Sequence, residues 1–289
     1  MGACRSCSTK EMAMTEDSYP TSASRSASPL RFFLLVFVLS LPFWLAGILT
    51  SFQLLPALPI SALGFLCPVI AATIMVYREK RAAGVKELLK RAFDFKRVKA
   101  PIWYVPTFLL MPGIMVLSYV VMRLQGVPLP APQFSIGMIL ALFAVFFIGA
   151  LGEELGWSGY VIDPLQKRFG ALWAALLLGV VWAIWHYIPL LEAHRSLEFI
   201  AWWSLGTVAA RVIIVWLYNH TGRSVFIAAL FHTMVNLTWQ VFPVNGSYYD
   251  PRVTGLITAI VAVIIVLMWG PRALAWHRKQ GVQGAGMAV

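Results

Sequence analysis

The chain has 289 residues, of which 60% are hydrophobic and 12% charged, with a mean hydropathy of +0.76 and a formal net charge of +11. A soluble domain of that size needs more charge to cover its surface, so a water-soluble globule is excluded. The apolar residues instead run in blocks of about 20, enough to cross a hydrocarbon core of about 30 Å at 1.5 Å rise per residue.

In chain order, residues 1–29 hold seven serines and no apolar run, which predicts a disordered tail rather than a secretory signal. The start MGACRS fits a myristoylation pattern loosely, and an over-extended start codon accounts for the tail equally well. Cys4 and Cys7 form a single CxxC without a second ligand pair, which is too little for zinc, and Cys67 falls in an apolar span where it reads as a small hydrophobe. Membrane spans are predicted at 32–52, 58–77, 102–122, 134–152 or beyond, 171–191, 199–218, 225–242 and 253–269. The fold class is therefore all-α, a polytopic membrane protein of about eight transmembrane helices, with a membrane domain over 30–272 and a second tail over 273–289. No internal repeat of the transporter kind is visible.

Eight spans place both termini on one side. With that side taken as the cytoplasm, 19 of the 23 Lys and Arg residues lie inside, Arg123, Arg195 and Arg252 lie outside, and Arg211 falls within the sixth span. This is the asymmetry expected of an integral protein of a bacterial plasma membrane with both termini cytoplasmic, and it accounts for the net charge without nucleic acid. The segment 78–99 carries nine basic and three acidic residues; Val85, Leu88, Leu89, Phe93 and Phe95 give it either an amphipathic face for anionic lipid or the character of a solvated basic loop.

Three places break the apolar pattern, and ionisable groups at membrane depth are costly unless they face protein or a cavity. The string LGEELGWSGY (151–160) holds Glu153 and Glu154, which point about 100° apart on a helix, while Ser158 shares the face of Glu154. Gly149, Gly152, Gly156 and Gly159 recur at helical spacing and favour close approach of another helix. The alternative is a span that ends at Gly152 with both carboxylates among headgroups. The second place is His186, between Trp182 and Trp185 on one side and Pro189 on the other. The third is His232 with Asn236, four apart on one face of the seventh span. Taken singly, each histidine reads equally as polar glue between helices. Together, a carboxylate pair, two histidines and an amide suit either a general base with oxyanion donors or a metal site.

The strings EELGWSGY, WAIWH and FHTMVN, in that order on successive spans, resemble the three motifs of the Rce1-like (CPBP) intramembrane proteases, EExxxR, FxxxH and HxxxN, over roughly residues 130–242. The resemblance implies an Rce1-like bundle and an endopeptidase acting on a membrane-associated peptide or protein, CAAX-like or other. Glu153 and His186 would activate water, His232 and Asn236 would hold the oxyanion, and Glu154 would orient its neighbours. Metal-independent catalysis is expected, with zinc on two histidines and a glutamate as the alternative. Two positions depart from the pattern: Trp182 stands for Phe, and Ser158 stands where the family usually has Arg. The latter keeps open a catalytically silent protein of the same fold, acting as an immunity factor or scaffold. A transporter using the buried carboxylates as a relay is the third reading. Depth adds a requirement. His186 lies about 22 Å from the cytoplasmic end of its span at 1.5 Å per residue, so Glu153 meets it only if the fourth helix continues through the motif, emerging near Asp163 and Pro164 with Lys167 and Arg168 at the turn.

Overall fold

The computed structural model describes residues 28–272 and 274, apart from 51, 56, 57, 245 and 247. The tails expected at 1–29 and 273–289, with Cys4, Cys7 and the myristoylation pattern, lie outside the described residues except for Ser28, Pro29 and Leu274. Ten helices follow one another: α1 (Pro29–Thr50), α2 (Leu66–Lys90), α3 (Tyr104–Leu124), α4 (Ile136–Gly156), α5 (Ile162–Phe169), α6 (Ala171–Trp185), α7 (Tyr187–Glu192), α8 (Leu197–His220), α9 (Val225–Val241) and α10 (Pro251–Trp269). A short antiparallel pair, β1 (Gln53–Leu55) and β2 (Leu58–Pro59), caps the α1–α2 connection with Gln53 opposite Pro59.

Among the described residues, seven continuous helical stretches are long and apolar enough to cross a membrane. The predicted seventh span is different: α9 has 17 residues and is buried along most of its length, so it is lined by protein rather than lipid. The outer helices do face lipid, with side chains such as Leu49, Leu109, Leu140 and Leu267 largely exposed. With no water in the hydrocarbon region, helices are the open-ended way to satisfy every backbone amide, and the polytopic helical architecture follows.

Helix α8 packs on α6 and α10, and α9 packs on α3 and α4. Local chemistry sets the ends. Ser135, Ser196 and Ser224 each cap the helix that follows by accepting an amide N–H, and Asp250 does the same ahead of Pro251. Asp94 anchors the start of α9: its Oδ1 accepts from Ser224 Oγ at 2.7 Å and from Phe226 N at 3.1 Å, a carboxylate placed on the positive end of a helix.

The fourth span does not stop at Gly152. It runs unbroken over residues 136–169, through a π-helical turn at Trp157–Val161 and into α5. The chain then reverses at Gly170, whose φ of +78° suits glycine, and returns as α6. Glu153 is seventeen residues before Gly170, about 26 Å at 1.5 Å per residue, and His186, sixteen residues after it, is at nearly the same height on the way back. The basic segment is helical to Lys90, kinked at Arg81 where φ is +57°. Leu88 is buried there against α4's continuation at Gly159, whereas Leu89, Phe93 and Phe95 stay exposed.

Candidate active site

The glycines on α4 explain how its carboxylates come to be buried. A Cβ on Gly152 would fall 2.8 Å from the Phe65 ring, and one on Gly156 would fall 2.6 Å from the Pro68 carbonyl oxygen. Only glycine lets α4 approach the start of α2 this closely, and that contact seals Glu153 and Glu154 from solvent on one side. Gly149 has open space instead and lines a cavity. Both glutamates are deeply buried, Glu153 at 6% exposure and Glu154 at 0%, so the headgroup alternative is overturned.

The two carboxylates have separate sets of partners, as their 100° separation requires. Glu154 is held by Arg211 Nη1 at 2.9 Å, by His232 Nδ1 at 3.0 Å and by the Ser158 hydroxyl, all of them buried. Its neighbour Glu153 accepts, through Oε2 alone, the indole N–H of Trp182 at 2.7 Å and that of Trp157 at 3.3 Å. That leaves Oε1 of Glu153 without a hydrogen-bond partner among the described residues, beside a cavity of about 270 Å³. The same cavity is lined by His186, His232 and Asn236. All five residues singled out from the sequence are thus brought together, four on the cavity wall and Glu154 directly behind it.

The histidines differ in what their rings have left to offer. His186 closes α6, and its Nδ1 hydrogen-bonds the Trp182 carbonyl at 2.8 Å, so Nδ1 carries the proton and Nε2 is an acceptor. His232 directs Nδ1 to the Glu154 carboxylate, which leaves Nε2 toward the cavity; with both nitrogens protonated this ring donates on both sides. Asn236 is one turn beyond His232 on α9 and contributes its amide to the same wall.

Arg211 was placed in the sixth span by the sequence but given no part in the site, and Trp182 was read only as the aromatic of a motif. The structure makes both of them members of it. The Arg211 guanidinium, completely buried, lies 4.1 Å from the Trp182 ring centroid, an arrangement that offsets part of the cost of its Nε and Nη2, which have no hydrogen-bond partner among the described residues. Trp182 in turn touches the rings of His186 and His232, at centroid distances of 5.5 and 4.9 Å. The signal was present in the sequence: an arginine inside an apolar span needs a partner, and the only carboxylates at that depth were on α4.

Among the described residues no group of three or more His, Cys, Asp and Glu side chains is placed to hold an ion. His232 Nδ1 and Glu153 Oε2 are committed to Glu154 and to two indoles, while Glu153 Oε1 and the Nε2 atoms of both histidines have no hydrogen-bond partner among the described residues.

Residues 134–238 match the family described as type II CAAX prenyl endopeptidase Rce1-like. The chain is 28% identical over 267 residues to CAAX prenyl protease 2 of Methanococcus maripaludis, covering 84% of this chain and 95% of that protein. It is also 25% identical over 210 residues to lysostaphin resistance protein A of Staphylococcus aureus strains RF122 and Newman, covering 68% of this chain and 47% of those proteins, about half their length.

Proposed function

We propose, on the premise that residues 134–238 are an Rce1-like domain in an integral membrane protein, that this chain is an intramembrane endopeptidase that hydrolyses a peptide bond of a membrane-associated protein or peptide. One observation carries the reading: Glu153 keeps one carboxylate oxygen free on a cavity wall that it shares with an acceptor nitrogen, an imidazole and an amide. In this scheme a water between Glu153 Oε1 and His186 Nε2 loses a proton to Glu153 as its oxygen attacks the peptide carbonyl. The oxyanion that forms faces Asn236 and His232 Nε2, donors whose effect is largest where water is scarce. Collapse breaks the C–N bond, and Glu153 returns the proton to the leaving amine, so that one water is consumed for one acid and one amine released. Glu154 takes no proton in this scheme. Ion-paired with Arg211, it orients His232.

Ser158 does not leave the carboxylates without a cation, because Arg211 supplies one from α8. That supports activity over the second reading, a silent protein of the same fold acting as an immunity factor or scaffold, to which Ser158 and the likeness to a resistance protein point. The likeness to a CAAX prenyl protease extends here to the reaction and not to a particular tail.

The test is cleavage of a peptide library by the purified full chain in detergent, followed by mass spectrometry. Wild type is expected to cut. Glu153→Gln, His186→Ala and His232→Ala are each expected to lose about 100-fold or more of the rate. Cleavage that persists in all three variants sinks the mechanism, and a wild type that cuts nothing transfers the case to the silent reading.

A further inference from the structure

The cavity reaches only one end of the bundle. Its lining residues come from the hairpin between α1 and α2 (Leu54, Leu58), from α7 (Leu190) and the α7–α8 connection (Arg195), and from Tyr249 before α10, and it descends to Glu153, Ala210 and His232. Every one of those segments lies at the end of the bundle opposite Pro29 and Trp269, since successive crossings reverse direction, with α5 continuing α4 and α7 continuing α6. Below this level the way is closed. Trp157, Ser158, Glu154 and Arg211 are buried at 2% exposure or less and bonded to the residues around them. A separate polar cavity at the other end, around Arg91, Asp94 and Asp163, shares no lining residue with the first.

The charges divide along the same axis. The segment 78–99, the α5–α6 turn with Lys167 and Arg168, and Arg223 are basic and lie at the end away from the cavity mouth. Among the described Lys and Arg residues, only Arg123, Arg195 and Arg252 are at the mouth end. Basic connections are retained in the cytoplasm during insertion.

From these two observations we infer that the cavity is loaded from the non-cytoplasmic face, and that its substrate is a peptide segment presented outside the cytoplasm at or within the outer half of the membrane. The inference rests on the reading of this cavity as the active site for its substrate class, though not for its direction. The mouth fits such a segment. Leu54 and Leu63 are partly exposed at it, Trp44, Phe199 and Trp203 line its walls, and Arg195 stands over the Phe199 ring at 4.7 Å with its guanidinium in no ion pair among the described residues. An extended, mostly apolar peptide enters such a slot with its polar backbone leading to the cluster at Glu153, and a cytoplasmic tail has no path to it.

The direction is read without any catalysis. In full-length protein with Cys4 and Cys7 replaced by serine, and Cys67 left buried, a membrane-impermeant maleimide is applied to intact cells and to inverted vesicles. Leu54→Cys is expected to label in cells and not in sealed inverted vesicles, and Lys86→Cys is expected to do the reverse. Leu54→Cys labelling confined to inverted vesicles overturns the proposal. For the substrate, new peptide termini are compared between cells carrying the wild type and Glu153→Gln. Termini dependent on Glu153 are expected in extracytoplasmic segments, and their appearance in cytoplasmic segments overturns the inference as well. Expected labelling with no Glu153-dependent termini counts against the protease reading alone, so the two failures are told apart.

Discussion

Trp182 stands at the junction of two sets of contacts. Its indole N–H holds Glu153, its face carries the Arg211 guanidinium, and its edges meet both histidines. The phenylalanine of the family motif offers the face but no donor, so Trp182→Phe isolates the hydrogen bond. With Oε2 then held by Trp157 alone, Glu153 has more freedom, and the expected result is a several-fold lower kcat with KM little changed and about 1 kcal/mol lost in stability. Steady-state kinetics alongside thermal unfolding in detergent would show both. Arg211→Met leaves Glu154 as a buried carboxylate without its cation and is expected to cost about 3–5 kcal/mol. Glu154→Gln in the same chain should recover much of that loss, since the charge is gone. An unaltered unfolding temperature in Arg211→Met would refute the pairing as a stabilising element. In the proposed scheme Glu153 alone carries the proton and no metal takes part, so a chelator is expected to leave the cleavage rate unchanged. Loss of activity with EDTA and its return with zinc would reverse that.

At the scale of helices, the site is a product of close approach. Gly156→Ala drives a Cβ into the Pro68 carbonyl and is expected to destabilise the protein by about 1–3 kcal/mol through displacement of α4 from α2. Gly149→Ala meets open space, so its stability should be retained while the narrowed cavity raises KM. Equal destabilisation of both variants, in a chemical or thermal melt, would refute the packing account, because alanine's higher helix propensity favours both alike. The elements that were legible in the sequence were those whose pattern is local. Long apolar blocks gave the spans, and paired motifs four residues apart placed Glu154 with Ser158 and His232 with Asn236 on common faces. The continuation of the fourth helix through the motif followed from depth alone, because His186 demanded a partner at its own height, but the exit expected near Asp163 and Pro164 falls short of the helix end at Phe169. What stayed hidden was lateral. Nothing in the neighbourhood of Arg211 in the sequence says that Gly179, where a Cβ would sit 3.0 Å from Val208 Cα and 3.2 Å from Arg211 Cβ, lets α6 and α8 close enough to bring that guanidinium onto Glu154. The π-helical turn after Gly156 was likewise unannounced, since its extra residue per turn leaves no mark in composition.

For the molecule as a whole, the buried floor beneath the cavity has an electrical consequence. A cavity open to one face carries that face's potential inward to the level of Glu153, so a voltage across the membrane falls mainly over the residues below it. Glu154 and Arg211 occupy that layer, and because their charges cancel, the field exerts almost no net force on the pair. A lone charge in the same layer would feel up to about 2.3 kcal/mol per 100 mV. Little of the voltage is then crossed by a proton or peptide moving within the cavity, and cleavage should proceed equally in polarised and depolarised vesicles.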